Sequence, residues 1–124
     1  METKELTQKI CEILDFKKAE DITVMDVAEL TVIAENFVVA TGLNTQHVNS
    51  LAENLEDELA KIGVEPIRTE GMREGRWAVL DYGSVIVHIF NDETRLFYHL
   101  ERLWTDGANL ETYDEKADEI VAKN

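Results

Sequence analysis

The turn Ala40-Thr41-Gly42-Leu43-Asn44-Thr45 runs from an apolar stretch toward a helical pattern. A turn of this kind can hold a phosphate, because free amide N–H groups and the helix dipole converge on it. It has one glycine, no GxGxxG spacing and no lysine beside it, and no Asp-x-Asp pair follows to carry magnesium. An ordinary strand-to-helix turn is the better reading. The histidines are His47, His88 and His99, and no two stand at i, i+4 on one helix. The single cysteine, Cys11, lies far from them, so zinc spacing is missing. His47 falls in a first helical turn and reads as a surface residue. His88 sits between Val87 and Ile89 and reads as a hydrogen-bonded structural histidine. Cys11 follows Ile10 in an amphipathic pattern and reads as a packing residue. The expectation is no catalytic residue, no metal and no cofactor.

The composition points the same way. At 124 residues and 44% hydrophobic content, the chain is sized for one core. Its apolar runs are too short to span a bilayer, the N-terminus lacks a signal pattern, and one cysteine cannot form an internal disulfide. A cytoplasmic protein without membrane attachment is expected. The net charge of −14, from 26 acidic and 12 basic residues, opposes phosphate neutralisation and so direct nucleic-acid binding. It favours encounter with a basic protein surface.

The elements that would carry these residues follow from periodicity. Leu6, Ile10, Ile13 and Leu14 predict a helix over about 4–17, with Thr3 as its cap. Residues 21–26 predict a strand with Ile22 and Val24 on one face. The nearly all-apolar Phe37-Val38-Val39-Ala40-Thr41 predicts a strand covered on both faces. Val48, Leu51, Ala52, Leu55, Leu59 and Ile62 trace the stripe of a second helix, with Asn44 or Thr45 as cap and Gly63 as left-handed stop. Residues 64–69 predict an edge strand behind Pro66. Residues 76–81 and 84–90 predict a hairpin turning at Tyr82-Gly83. A third helix is expected from Asn91 or Asp92 through Leu96, Leu100 and Leu103 to Trp104. Residues 1–108 then form the single domain. Residues 109–124 are an acidic C-terminal tail, either weakly helical or mobile. The fold class is α/β, a mixed sheet of about five strands flanked by helices.

Residues 77–104 are unusually rich in aromatic groups. The pleat sets Trp77, Val79, Asp81, Ile86, His88 and Phe90 on one side of the hairpin. In the following helix Arg95, Tyr98 and Arg102 share a face, and Phe97, Glu101 and Trp104 share another. Trp, Tyr and Arg dominate interface energetics, so both a core and a docking face are open to these residues.

At these residues the chain resembles the ribosomal silencing factor, or Iojap, family. The resemblance rests on Phe37-Val38-Val39-Ala40-Thr41-Gly42, Gln46-His47-Val48, Glu70-Gly71, Trp77 through Asp81-Tyr82-Gly83, Val87-His88-Ile89-Phe90, Arg95 and residues 98–104. It runs from about Leu6 to Ala108. It implies a nucleotidyltransferase-like topology without the active site. It also implies a translational repressor that binds the fourteenth protein of the large ribosomal subunit and sterically blocks joining of the two subunits. Homodimers are implied too. Trp77, Asp81, Tyr82, Tyr98, Glu101 and Trp104 match family motif positions and are expected to make the ribosomal contact. Asp81 and Glu101 would pair with basic groups, and Arg95 would instead be an internal partner that orients these acids. Glu35, where the family often has aspartate, and Leu43-Asn44, where it has small polar residues, are departures that weaken the Gly42 turn as a site. The rival readings are a large-subunit assembly factor that does not prevent joining and a magnesium-dependent nucleotidyltransferase.

Overall fold

The computed structural model describes residues 1–92, 94, 95 and 109–122. In chain order the elements are α1 (Thr3–Phe16), β1 (Glu20–Asp26), β2 (Asn36–Gly42), α2 (Thr45–Ala60), β3 (Arg68–Glu70), β4 (Trp77–Asp81), β5 (Val85–Asn91), β6 (Leu110–Asp114) and β7 (Glu119–Ala122). The strands form one sheet in the order β3-β4-β5-β2-β1-β6-β7. Its central pair, β2 with β5, is parallel, and the neighbouring pairs are antiparallel. The fold is therefore α/β with a mixed sheet, but the sheet has seven strands and not about five.

Both described helices pack on the same face of the sheet. Leu6, Ile10 and Leu14 of α1 and Val48, Leu51, Leu55 and Leu59 of α2 meet Ile22, Val24, Val38, Ala40, Ala78, Leu80, Val87 and Ile89. Burial of these stripes holds the layers together, at about 25 cal/mol per Å² of apolar surface removed from water. β2 is buried along nearly its whole length, as its unbroken apolar run requires. Among the described residues no helix is long and apolar enough to cross a membrane.

The helix ends divide on the expected caps. Asn44 caps α2, its side chain accepting from the His47 backbone N–H at 2.8 Å. Gly63 follows at φ 80°, with Val64 N–H donating to Leu59 C=O at 2.9 Å. Thr3, the expected cap of α1, is instead its first helical residue; Glu2 occupies the cap position without a side-chain bond. Most of the third helix expected from Asn91 or Asp92 to Trp104 lies outside the described residues. At its expected beginning Asn91 Oδ1 accepts from Thr94 N–H at 2.8 Å, and residues 92, 94 and 95 are helical.

Two expectations need correction. Residues 109–124 are not a helical or mobile tail over the described part, because β6 and β7 form a hairpin that extends the sheet beyond β1. Asp114 Oδ1 accepts from Lys116 N–H at 3.0 Å in its turn, and the Tyr113 hydroxyl bonds Asp118. The hairpin's apolar signal is thin, with Tyr113 and Ile120 packed on the helix-side core and Leu110 on the opposite face. The second correction concerns β4 and β5, which turn at Gly83-Ser84 and not at Tyr82-Gly83. Tyr82 N–H donates to Val85 C=O at 2.9 Å, and Trp77 pairs with Phe90, where a turn at Tyr82-Gly83 would set it opposite His88. Gly83, at φ 87°, supplies the left-handed first turn position, and its N–H donates to Asp81 Oδ1 at 2.8 Å. The slip is two residues, the side-chain period of a strand, so the faces stay as expected.

Candidate docking face

The sheet face opposite α1 and α2 carries Met25, Val27, Ala34, Phe37, Val39, Ile86 and Phe90, with Trp77 and Val79 packed beside them. Alternation puts Trp77, Val79 and Asp81 of β4 on this side, half-buried, while Ala78 and Leu80 point into the helix-side core. The ring of Trp77 stacks on Phe90 at 5.1 Å between centroids with 23° between planes. Phe37 meets His88 edge-on at 5.2 Å. Such pairs add about 0.5–1.5 kcal/mol each beyond burial and fix ring orientation.

His88 organises the cluster. The Trp77 indole N–H, which can only donate, points to His88 Nδ1 at 3.1 Å. Nδ1 must then hold a lone pair, and the ring is neutral with its proton on Nε2. Burial pushes the imidazole down to about 4 and keeps it so. Nε2 is itself buried and has no hydrogen-bond partner among the described residues. His88 is thus the bonded structural histidine expected, with one donor left over.

Around these rings lies an open groove of about 280 Å³, lined by Ile33, Phe37, Trp77, Val79, Ile86 and His88, with Arg68, Glu70 and Asp81 at its polar end. Asp81 is not a bare acid. One carboxylate oxygen holds the Gly83 turn, and the other lies 3.5 Å from the exposed guanidinium of Arg68 across the β3–β4 pair. An apolar floor with a charged rim is suited to receiving a partner's side chains.

The structure places the remaining site candidates differently. Tyr82 lies in the helix-side core, away from Trp77, and burial with nearby Glu56 pushes its phenol up. Its hydroxyl has no partner among the described residues. Tyr98, Glu101 and Trp104 lie outside the described residues. Arg95 turns inward, donating to Asp21 C=O and Thr41 Oγ1 at 2.7 Å and to Thr23 Oγ1 at 3.2 Å, and its guanidinium lies 3.3 Å from Asp21 Oδ2. It pins the chain just after β5 to β1 and β2. Arg95 is thus an internal partner, as expected, but the acid it holds among the described residues is Asp21 and not Asp81. Sequence reasoning overlooked Ile33, whose only signal was an apolar triplet, Leu30, Val32 and Ile33, stranded between two strands.

The Gly42 turn is closed by its own residues. Leu43 N–H donates to His47 Nδ1 at 2.9 Å, His47 N–H goes to Asn44, and His47 Nε2 lies 2.9 Å from Lys17 C=O. A Cβ on Gly42 would come within 2.7 Å of Val48 Cγ2, so the glycine permits close strand-to-helix packing. Two amides that could cradle a phosphate are therefore engaged. His47, read from sequence as a plain surface residue, ties α1 to α2. Cys11 is fully buried, and burial, then Glu12, Glu111 and Asp15, push its thiol up to about 12. Among the described residues no group of three or more His, Cys, Asp or Glu is placed to hold a metal ion.

Known proteins resemble this chain over most of its length. The sequence profile of the family described as "Ribosomal silencing factor during starvation" matches residues 1–124. A protein of Halalkalibacterium halodurans named "Ribosomal silencing factor RsfS" is 33% identical over 111 residues, covering 90% of this chain and 95% of that one. The mouse "Mitochondrial assembly of ribosomal large subunit protein 1" is 30% identical over 114 residues, 90% of this chain but 48% of its own length. A crystal structure of a protein from Chromobacterium violaceum superposes with a TM-score of 0.82 at 34% identity, covering 84% of this chain and 87% of that one. The chain belongs to the ribosomal silencing factor family, and with it to proteins that act in ribosome silencing or assembly.

Proposed function

We propose that the protein represses translation by docking on the fourteenth protein of the large ribosomal subunit, at the surface that meets the small subunit, so that the two subunits cannot join. The observation that carries this reading is Trp77, a half-buried indole locked by Phe90 and His88 at the mouth of an apolar groove. A pre-oriented aromatic loses little freedom on binding, which makes it an efficient anchor. The charge of −14 speeds encounter with a basic ribosomal surface. In this reading the protein acts in the cytoplasm, is not an enzyme, needs no cofactor, and keeps a nucleotidyltransferase-like topology without that chemistry. The engaged amides of the Gly42 turn support the last point. Self-association as a homodimer belongs to the same proposal.

The name of the mouse relative favours a second reading, assembly of the large subunit without any block to joining. Both readings require large-subunit binding. In co-sedimentation with separated subunits, the protein should pellet with the large subunit and not the small one, and less so as salt screens the acidic rim. Equal partition between the two subunits, or none with either, would remove both.

A further inference from the structure

We propose that the loop joining β1 to β2, residues 27–35, is the second half of the docking face: an apolar ridge that seats on a protein segment bearing apolar side chains between lysines and arginines. The inference rests on the docking reading above and names its chemistry. Leu30, Val32 and Ile33 are 45%, 103% and 58% exposed, three large apolar side chains within four residues. Single exposed apolar residues are common, but a contiguous group beside a groove marks an interaction surface. Ile33 joins the two, because it also lines the groove with Trp77, Val79 and His88.

The ridge is held in shape. Val27 N–H donates to Glu35 C=O at 2.9 Å across its base, Leu30 and Thr31 N–H both donate to Val27 C=O, and Ile33 N–H reaches Thr31 Oγ1 at 3.2 Å. Glu35 and Asn36 N–H both donate to Ser84 C=O, which ties the loop to the hairpin turn carrying the groove. Little ordering remains to be done on binding.

Charge selects the occupant. Asp26, Glu29 and Glu35 are exposed around the ridge, with Glu70 at the far end of the groove. An acid fringe repels anionic lipid and nucleic acid, and on this ridge it opposes the same acid fringe of a second copy. A basic protein segment satisfies both the fringe and the ridge.

Large-subunit affinity would be measured for the wild type, the double variant Leu30→Ser/Val32→Ser, Val32→Lys and Val32→Glu, with self-association followed in parallel. Ile62→Ser, at an exposed apolar position just beyond the end of α2, is the control. The double variant should bind about tenfold more weakly or worse, Val32→Lys should lose more than Val32→Glu, and Ile62→Ser should bind normally. If the wild type binds and the double variant matches it, or if only self-association weakens, the ridge is overturned while the docking reading stands. If Val32→Glu loses more than Val32→Lys, the basic occupant is wrong. If the wild type itself does not bind, the docking reading fails first.

Discussion

Replacing Trp77 with alanine is expected to weaken large-subunit binding about thirtyfold or more, or about 2 kcal/mol, while leaving the protein folded. The two halves of this expectation come from the same position. Trp77 is half-buried on the outer side of β4, so truncating it removes contact area from the groove but not from the helix-side core that carries most of the packing. It also removes the indole N–H that fixes His88 and the ring that stacks on Phe90. Trp77→Phe should fall between the two, keeping the stack and losing the hydrogen bond. Binding isotherms, with circular dichroism to verify the fold, check both parts. Full affinity in folded Trp77→Ala would move the contact elsewhere on the surface.

The second large effect is on stability and depends on pH. His88 is neutral in the folded protein, held down to about 4 by burial, against an ordinary value of 6.5. Between those values the unfolded chain binds a proton that the folded one refuses. Stability from this residue is therefore complete above pH 6.5 and is lost as pH falls toward 4, by about 3 kcal/mol across the window. Protonation would also cost Nδ1 the lone pair that accepts from Trp77. Other carboxylates titrate near the lower end, so the effect is best isolated by difference. His88→Asn can still accept from the indole through its amide oxygen but cannot charge. Urea unfolding should show the wild type losing about 3 kcal/mol more than the variant between pH 7 and 4. Parallel curves would mean that His88 is hydrated.

Much of this architecture was legible from periodicity because burial imposes it. The α2 stripe from Val48 to Leu59, its Asn44 cap and the all-apolar β2 each answer to one physical demand, and each stands where the pattern put it. The two-sided hairpin survived a wrong turn assignment because a slip of two residues preserves the pleat. The same alternation should have separated Tyr82 from Trp77, since it follows Ala78 and Leu80 inward; proximity in the motif hid that. The β6–β7 hairpin was missed because its packed apolar residues, Leu110, Tyr113 and Ile120, are few and diluted by Asp114, Glu115 and Glu119. Asp81's engagement by Arg68 depends on the pairing of β3 with β4, a long-range contact that local spacing does not encode. The ridge at Leu30, Val32 and Ile33 is of the same kind, since its meaning comes from the groove beside it.

The most direct test of repression by docking is a subunit-joining assay with purified components. Large subunits saturated with the protein should stay separate when small subunits are added, and Trp77→Ala at the same concentration should let them join. Normal joining while the protein remains bound to the large subunit would contradict the account and leave assembly as the family role this chain performs.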